Sequence, residues 1–150
     1  MNKILRIVDI APRVKEYLIE AKEIATHCKP GQFIILRVDE EGERVPFTIC
    51  DYDSKAGTIT LLVQDVGYST HKMGQLNEGD FIHDMVGPLG NATDLSEYEN
   101  VVLAGGGIAC GAIYPQAKLR MVRGKPCSTI IAARSEEVRS SREGLRENST

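Results

Sequence analysis

Between residues 58 and 64 the chain reads Thr-Ile-Thr-Leu-Leu-Val-Gln. Ile59, Leu61 and Val63 share one face, and Thr58, Thr60 and Gln64 fall mostly on the other. A period of two marks a strand with one buried side. Segments 3–10, 14–19, 33–38, 45–51 and 80–86 are likewise rich in branched and apolar residues, and turn chemistry separates them. Ala11-Pro12-Arg13, Lys29-Pro30-Gly31, the acidic tip at residues 40–43 and the loop at 53–57 supply those turns. A short helix is expected over 69–76. Six short strands at this spacing predict a six-stranded antiparallel Greek-key barrel over residues 1–98.

Near residue 99 the pattern changes. Val101-Val102-Leu103-Ala104 is wholly apolar, as a buried parallel strand requires, and it runs straight into Gly105-Gly106-Gly107. A helix is expected from there to about Arg123, with Pro115 in its first turn, where a missing N–H costs little. Gly124 and Pro126 close the helix, and 127–133 reads as the next strand. This β-α-β order is the opening of a dinucleotide-binding fold, so 99–134 is expected to be an incomplete α/β domain. Residues 135–150 carry two sizeable apolar side chains, Val138 and Leu145, among many Arg, Glu and Ser. So little apolar surface does not offset the entropy of ordering, and a disordered polar tail is expected there.

Composition narrows the chemistry. The 150 residues are 42% apolar and 26% charged, enough to form a core, and the net charge of −3 gives no reason to expect nucleic acid or an anionic membrane as partner. No apolar run approaches membrane-spanning length and the first residues lack a signal-peptide core, so a cytoplasmic location is expected. Cys28, Cys50, Cys110 and Cys127 are widely spaced, without a C-x-x-C pair, and His27, His71 and His83 show no ligand spacing. Reduced, buried thiols and no metal site are the reading.

Several segments, in order, resemble a known family. They are Pro30-Gly31-Gln32-Phe33, then Val45-Pro46-Phe47-Thr48, Val66-Gly67-Tyr68-Ser69-Thr70, Gly87-Pro88-Leu89-Gly90-Asn91, and Gly105-Gly106-Gly107-Ile108-Ala109-Cys110-Gly111. Over residues 1 to about 134 the chain resembles FAD- and NAD(P)-binding electron-transfer subunits of the ferredoxin reductase superfamily. The branch holds the small subunit of NADH-dependent reduced ferredoxin:NADP oxidoreductase, with the dihydroorotate dehydrogenase electron-transfer subunit as a near relative.

The resemblance implies roles for these segments, with Gly87-Pro88-Leu89-Gly90-Asn91 as the connection between the two domains. Thr48 would set a hydroxyl beside the reactive flavin nitrogen and count as the catalytic residue, with Pro46 and Phe47 shaping the wall. The motif's arginine falls at Val45 here, with Arg44 one residue away as the candidate cation. Gly67, Ser69 and Thr70 would present backbone N–H groups to the FAD diphosphate. Gly105, Gly106, Gly107 and Gly111 would support the NAD(P) pyrophosphate, although Ala109 and Ala112 depart from the usual loop. Arg134 or Glu136 and Glu137 would meet the adenosine ribose. Hydride would pass from NAD(P)H to FAD, and single electrons would leave through a [2Fe–2S] cluster whose ligands are absent from these residues. The implied partners are a larger catalytic oxidoreductase subunit and ferredoxin. A non-catalytic flavin-binding or partner-docking fragment is the alternative.

Overall fold

Ile49 and Cys50 are both buried, at 2% and 7% exposure, and two consecutive inward side chains cannot belong to one regular strand. The chain turns a corner there. In the computed structural model, which describes residues 1–125 and 127–132, the Ile49 amide donates to Gln32 O at 3.2 Å. The next amide, Cys50, donates to Thr60 O at 2.9 Å, on a different neighbour. The expected strand 45–51 is therefore two strands, β4 (Val45–Thr48) and β5 (Asp51–Asp53). The expected strand 80–86 also divides, into β7 (Phe81–Ile82) and β8 (Asp84–Leu89), with His83 at the bend.

With β1 (Asn2–Ala11), β2 (Val14–Glu20), β3 (Phe33–Arg37) and β6 (Thr58–Gln64), these make two antiparallel sheets. Their orders are β5-β6-β2-β1-β7 and β4-β3-β8. The corners at 49–50 and 83 carry the chain from one sheet to the other, so the sheets fold around a shared interior. Eight strand segments thus stand where six were expected. The alternation read for 58–64 holds: Ile59, Leu61 and Val63 are buried, and of the partner set only Thr58 joins them. Ile4, Tyr17, Ile19, Ile34, Leu36, Ile49 and Ile82 complete the interior. Each fully buried side chain of this size contributes about 1.5–3 kcal/mol.

Two short helices close the ends. Helix α2 (Tyr68–Gly74) drives Met73 into the core, and the Tyr17 hydroxyl donates to Met73 O at 3.0 Å. Helix α1 (Lys22–His27) inserts Ile24 and Ala25. No helix was expected at α1. Six residues are too few to show a helical period, and Ala21 at its N-cap offers no capping side chain.

Beyond residue 100, β9 (Val102–Gly106) pairs in parallel with β10 (Ser128–Ala132), and α3 (Cys110–Val122) crosses between them after a 3₁₀ turn at Gly107–Ala109. Leu103, Cys110, Ala117 and Cys127 form a second, smaller core. Pro115 lies in the second turn of α3, not the first, because the helix already begins at Cys110. Gly111 O therefore has no N–H four residues on. Among the described residues one face of the strand pair is covered, and on the other Val102 and Ile130 are 63% and 60% exposed, where a buried strand was expected at 101–104. The expected tail at 135–150, and Arg134, Glu136 and Glu137, lie outside the described residues.

Candidate functional site

Strand β4 carries the first candidate group. Its exposure alternates: Val45 and Phe47 are half-buried, with Phe47 packed on the main core, whereas Pro46 and Thr48 are exposed. The Thr48 hydroxyl makes no hydrogen bond to any described residue. Thr48 pairs with Phe33 and Pro46 with Ile35, so those partners share the outer face of the β4-β3-β8 sheet. Arg44, two positions before Pro46, falls on the same face by parity, and its Nη1 reaches across β3 to Asp84 Oδ2 at 2.8 Å. Alternation therefore keeps Arg44 with Thr48 and turns Val45 inward.

The start of α2 is the second group. The Thr70 hydroxyl accepts from the amides of Val66 (3.0 Å) and Gly67 (2.9 Å) and donates to Gly67 O at 2.9 Å, which locks the turn. Gly67 is the N-cap and has no side chain, so the first amides of α2 receive no side-chain cap. Ser69 is half-buried beside it. With φ −163 and nothing within 4 Å of the place a Cβ would take, Gly67 is not required to be glycine by the fold. Its small size leaves open space above those amides. Lys72 of α2 is ion-paired with Asp39 in the loop between β3 and β4, so α2 and the chain entering β4 lie on the same side of the barrel. Thr48 and Arg44 thus share one sheet face, and the helix that follows the Gly67 turn is tied to the loop that precedes them.

The glycine loop is the third group, and its members differ in what they do. Gly106 is extended and open, and Gly107 has φ +56 with nothing within 4 Å of an added Cβ, a conformation that favours glycine. Gly105 has no such freedom. A Cβ there would lie 3.1 Å from Cys110 Sγ and from Ile113 Cδ1. Gly111 is buried against the barrel, where a Cβ would come within 2.7 Å of Cys50 Sγ and Leu62 Cδ1. The geometry gives Gly111 a packing role, whereas an added Cβ at Gly106 or Gly107 would meet no clash. Ala109 is also exposed, at the end of the 3₁₀ turn.

Through Gly111 the third group meets the first. Cys50 Sγ sits 3.6 Å from Thr48 O, Gly111 rests on Cys50, and Cys110 Sγ donates to Gly105 O at 3.0 Å. Burial raises the Cys50 thiol to about 12, so it stays neutral and serves as filler at this joint. A second tie is Lys118 Nζ to Asp51 Oδ1 at 2.8 Å. Burial alone would lower the ammonium's pKa, but the hydrogen bond and charge of Asp51 outweigh it and raise it. The connector between β8 and β9, residues 90–101, is fastened at both ends. Thr93 N donates to Pro30 O at 3.0 Å, and the buried Arg120 guanidinium donates to Leu95 O, Tyr98 O and Glu99 O at 2.8–3.1 Å. Sequence reasoning missed Asp84, Asp51, Lys118 and Arg120, whose partners lie 21 or more residues away and leave no local signal.

Among the described residues no cluster of three His, Cys, Asp or Glu side chains is placed to hold a metal, and no helix is long and apolar enough to cross a membrane.

No family model matches the chain. A relative from Thermotoga maritima, a dihydroorotate dehydrogenase B (NAD(+)) electron transfer subunit homolog, is 37% identical over 137 residues, covering 91% of this chain and 49% of the relative. A solved NADH-dependent reduced ferredoxin–NADP oxidoreductase, studied for flavin-based electron bifurcation, superposes with a TM-score of 0.87 at 37% identity, covering 92% of this chain and 50% of that one. Phthalate dioxygenase reductase shares the fold alone, with a TM-score of 0.78 at 16% identity, over 100% of this chain and 50% of that one. The chain spans about half the length of these proteins. By sequence and by fold it is a homologue of the dihydroorotate dehydrogenase B electron transfer subunits, built on the ferredoxin reductase-like FAD/NAD fold.

Proposed function

We propose that this chain is the flavin-binding part of an electron-transfer flavoprotein subunit, passing electrons between NAD(P)H and an iron–sulfur or ferredoxin-type acceptor through FAD. The observation that carries the reading is the joint at Cys50, where Gly111 at the head of α3 packs against the barrel corner that follows exposed Thr48. A hydride donor and its acceptor must meet with reacting atoms about 3–3.5 Å apart, and this is the corner where two such ligands would converge.

The residues fit the cofactor. Gly67 leaves room for close approach at uncapped amides, and the Thr48 hydroxyl has no structural partner. When bound, FAD supplies a junction between two-electron hydride donors and one-electron acceptors. In this reading Thr48 offers the ring a neutral hydrogen bond, with Pro46 and Phe47 as its wall. Gly67, Ser69, Thr70 and Arg44 hold the diphosphate. Gly105, Gly106 and Gly107 support the nicotinamide dinucleotide, with Gly111 setting the helix that follows.

Residues 1–98 then form the flavin domain. Counting 45–53 and 81–89 each as one bent strand gives it six strands in a Greek-key barrel. Residues 99–134 open the nucleotide domain. The [2Fe–2S] cluster lies outside these residues, the larger catalytic subunit is the partner, and the location is cytoplasmic. A second reading, a flavin-binding or partner-docking unit without activity of its own, draws support from the exposed Val102 and Ile130 face.

Mixing FAD-loaded chain with NADH, and separately NADPH, under anaerobic conditions tests the reading. Slow, unsaturated bleaching is expected, because the relatives are about twice this length. Fast, saturable bleaching with either nucleotide would show that residues 99–134 suffice as a nicotinamide site. A chain that takes up no flavin would overturn the function itself.

A further inference from the structure

The family motif sets an arginine at the position of Val45, and in this fold Val45 is a half-buried residue of β4. A cation for the diphosphate has to come from elsewhere. Arg44 lies on the same face as Pro46 and Thr48, beside the β3–β4 loop to which Lys72 ties α2, and is half exposed at 53%. What fixes its direction is not on β4. Asp84, the first residue of β8, pairs across the sheet with Arg37, and its Oδ2 holds Arg44 Nη1 at 2.8 Å over the top of β3. That single bond occupies one of five guanidinium donors and leaves the others free for a phosphate, which arginine binds bidentately. The neighbouring Lys72 is engaged with Asp39, and Arg37 Nη1 donates to Glu40 O at 3.4 Å.

We propose that Asp84 is a positioning residue for the flavin site: it holds the Arg44 guanidinium in place to receive the cofactor diphosphate, replacing the cation lost at Val45. This rests on the FAD reading above. Restricting a flexible arginine before the ligand arrives lowers the ordering cost of binding. A purely through-space effect has the opposite sign, because removing a negative charge near a diphosphate should strengthen its binding.

The opposed signs make the test decisive. Affinities of FAD, FMN and riboflavin are measured by flavin fluorescence for the wild-type chain, Asp84→Asn, Arg44→Gln and the double variant. An exposed ion pair contributes little to folding, so the variants should keep wild-type circular dichroism and melting. Should Asp84→Asn fail to fold, Asp84→Glu, which retains the carboxylate one methylene further out, is read in its place for partial loss. Asp84→Asn should weaken FAD roughly tenfold, Arg44→Gln by the same or more, and the double variant no further than Arg44→Gln. Riboflavin, which has no phosphate, should bind all four chains alike, and FMN should fall with FAD. Unchanged or tighter FAD binding by Asp84→Asn, or an equal loss for riboflavin, overturns the assignment of Asp84 while leaving the FAD reading intact. A wild-type chain that binds none of the three overturns both.

Discussion

Two glycines of similar appearance in the sequence have opposite surroundings, and the contrast gives a residue-scale prediction. A Cβ at Gly67 meets nothing within 4 Å, whereas one at Gly111 meets Cys50 Sγ and Leu62 Cδ1 at 2.7 Å. Gly67→Ala should therefore melt like the wild type and lose flavin affinity. Gly111→Ala should destabilise by about 1–3 kcal/mol through overpacking. Thermal melts and flavin titrations of both variants check this, and equal melting temperatures would refute the packing role of Gly111. Thr48 allows a similar separation. Its hydroxyl has no partner in the fold, so Thr48→Val should change stability by less than about 0.5 kcal/mol. If the hydroxyl touches the flavin, the reduction potential or reduction rate of the loaded variant should shift. Redox behaviour identical to wild type would remove Thr48 from the catalytic role.

At the scale of elements, α3 does more than cross between β9 and β10. Arg120 is buried near its end and gathers three connector carbonyls, and Gln116 Nε2 adds a bond to Thr93 O at 3.2 Å. Arg120→Met should cost about 2–3 kcal/mol and speed amide exchange and proteolysis across 93–99 while the barrel strands stay protected. Arg120→Lys should not rescue it, since one ammonium cannot span three carbonyls. Unaltered exchange there would sink the clamp. Strand β6 was legible in the sequence from its alternation, and β1, β2 and β3 from branched and apolar runs bounded by turn chemistry, all of them local signals. The corners were not. Val45–Thr48 and Asp51–Asp53 form one apolar-rich run, and the bend between them shows only as two adjacent buried residues. Helix α1 left no cap and no period, and the early start of α3 moved Pro115 a turn deeper than its sequence context suggested. Within the site, Thr48 and the glycine turns were readable as motifs. Asp84 and Lys118 were not, because what they hold is decided by strand order.

For the whole molecule, the buried thiols link folding to alkaline pH. Burial, with the charge of Asp51 adding to it, raises Cys28 from 9.0 to about 12, and burial likewise raises Cys50 to about 12. Unfolded thiols ionise near the ordinary value while the folded ones stay neutral. Above pH 9 the unfolded chain therefore binds fewer protons, and stability falls as pH rises from about 9 toward about 12. Urea melts at about pH 8 and about pH 10.5 should show the loss, and Cys28→Ser should diminish it. Equal midpoints at the two pH values would contradict it. The central claim is that Thr48, Arg44 and the Gly67 turn serve one FAD, its ring at Thr48 and its diphosphate at the other two. Its most direct measurement is to reconstitute the chain in an equimolar mixture of FAD and FMN, remove free flavin, unfold the protein and identify what is released by chromatography. The account predicts one FAD per chain. Release of FMN in preference, or of no flavin, would contradict it.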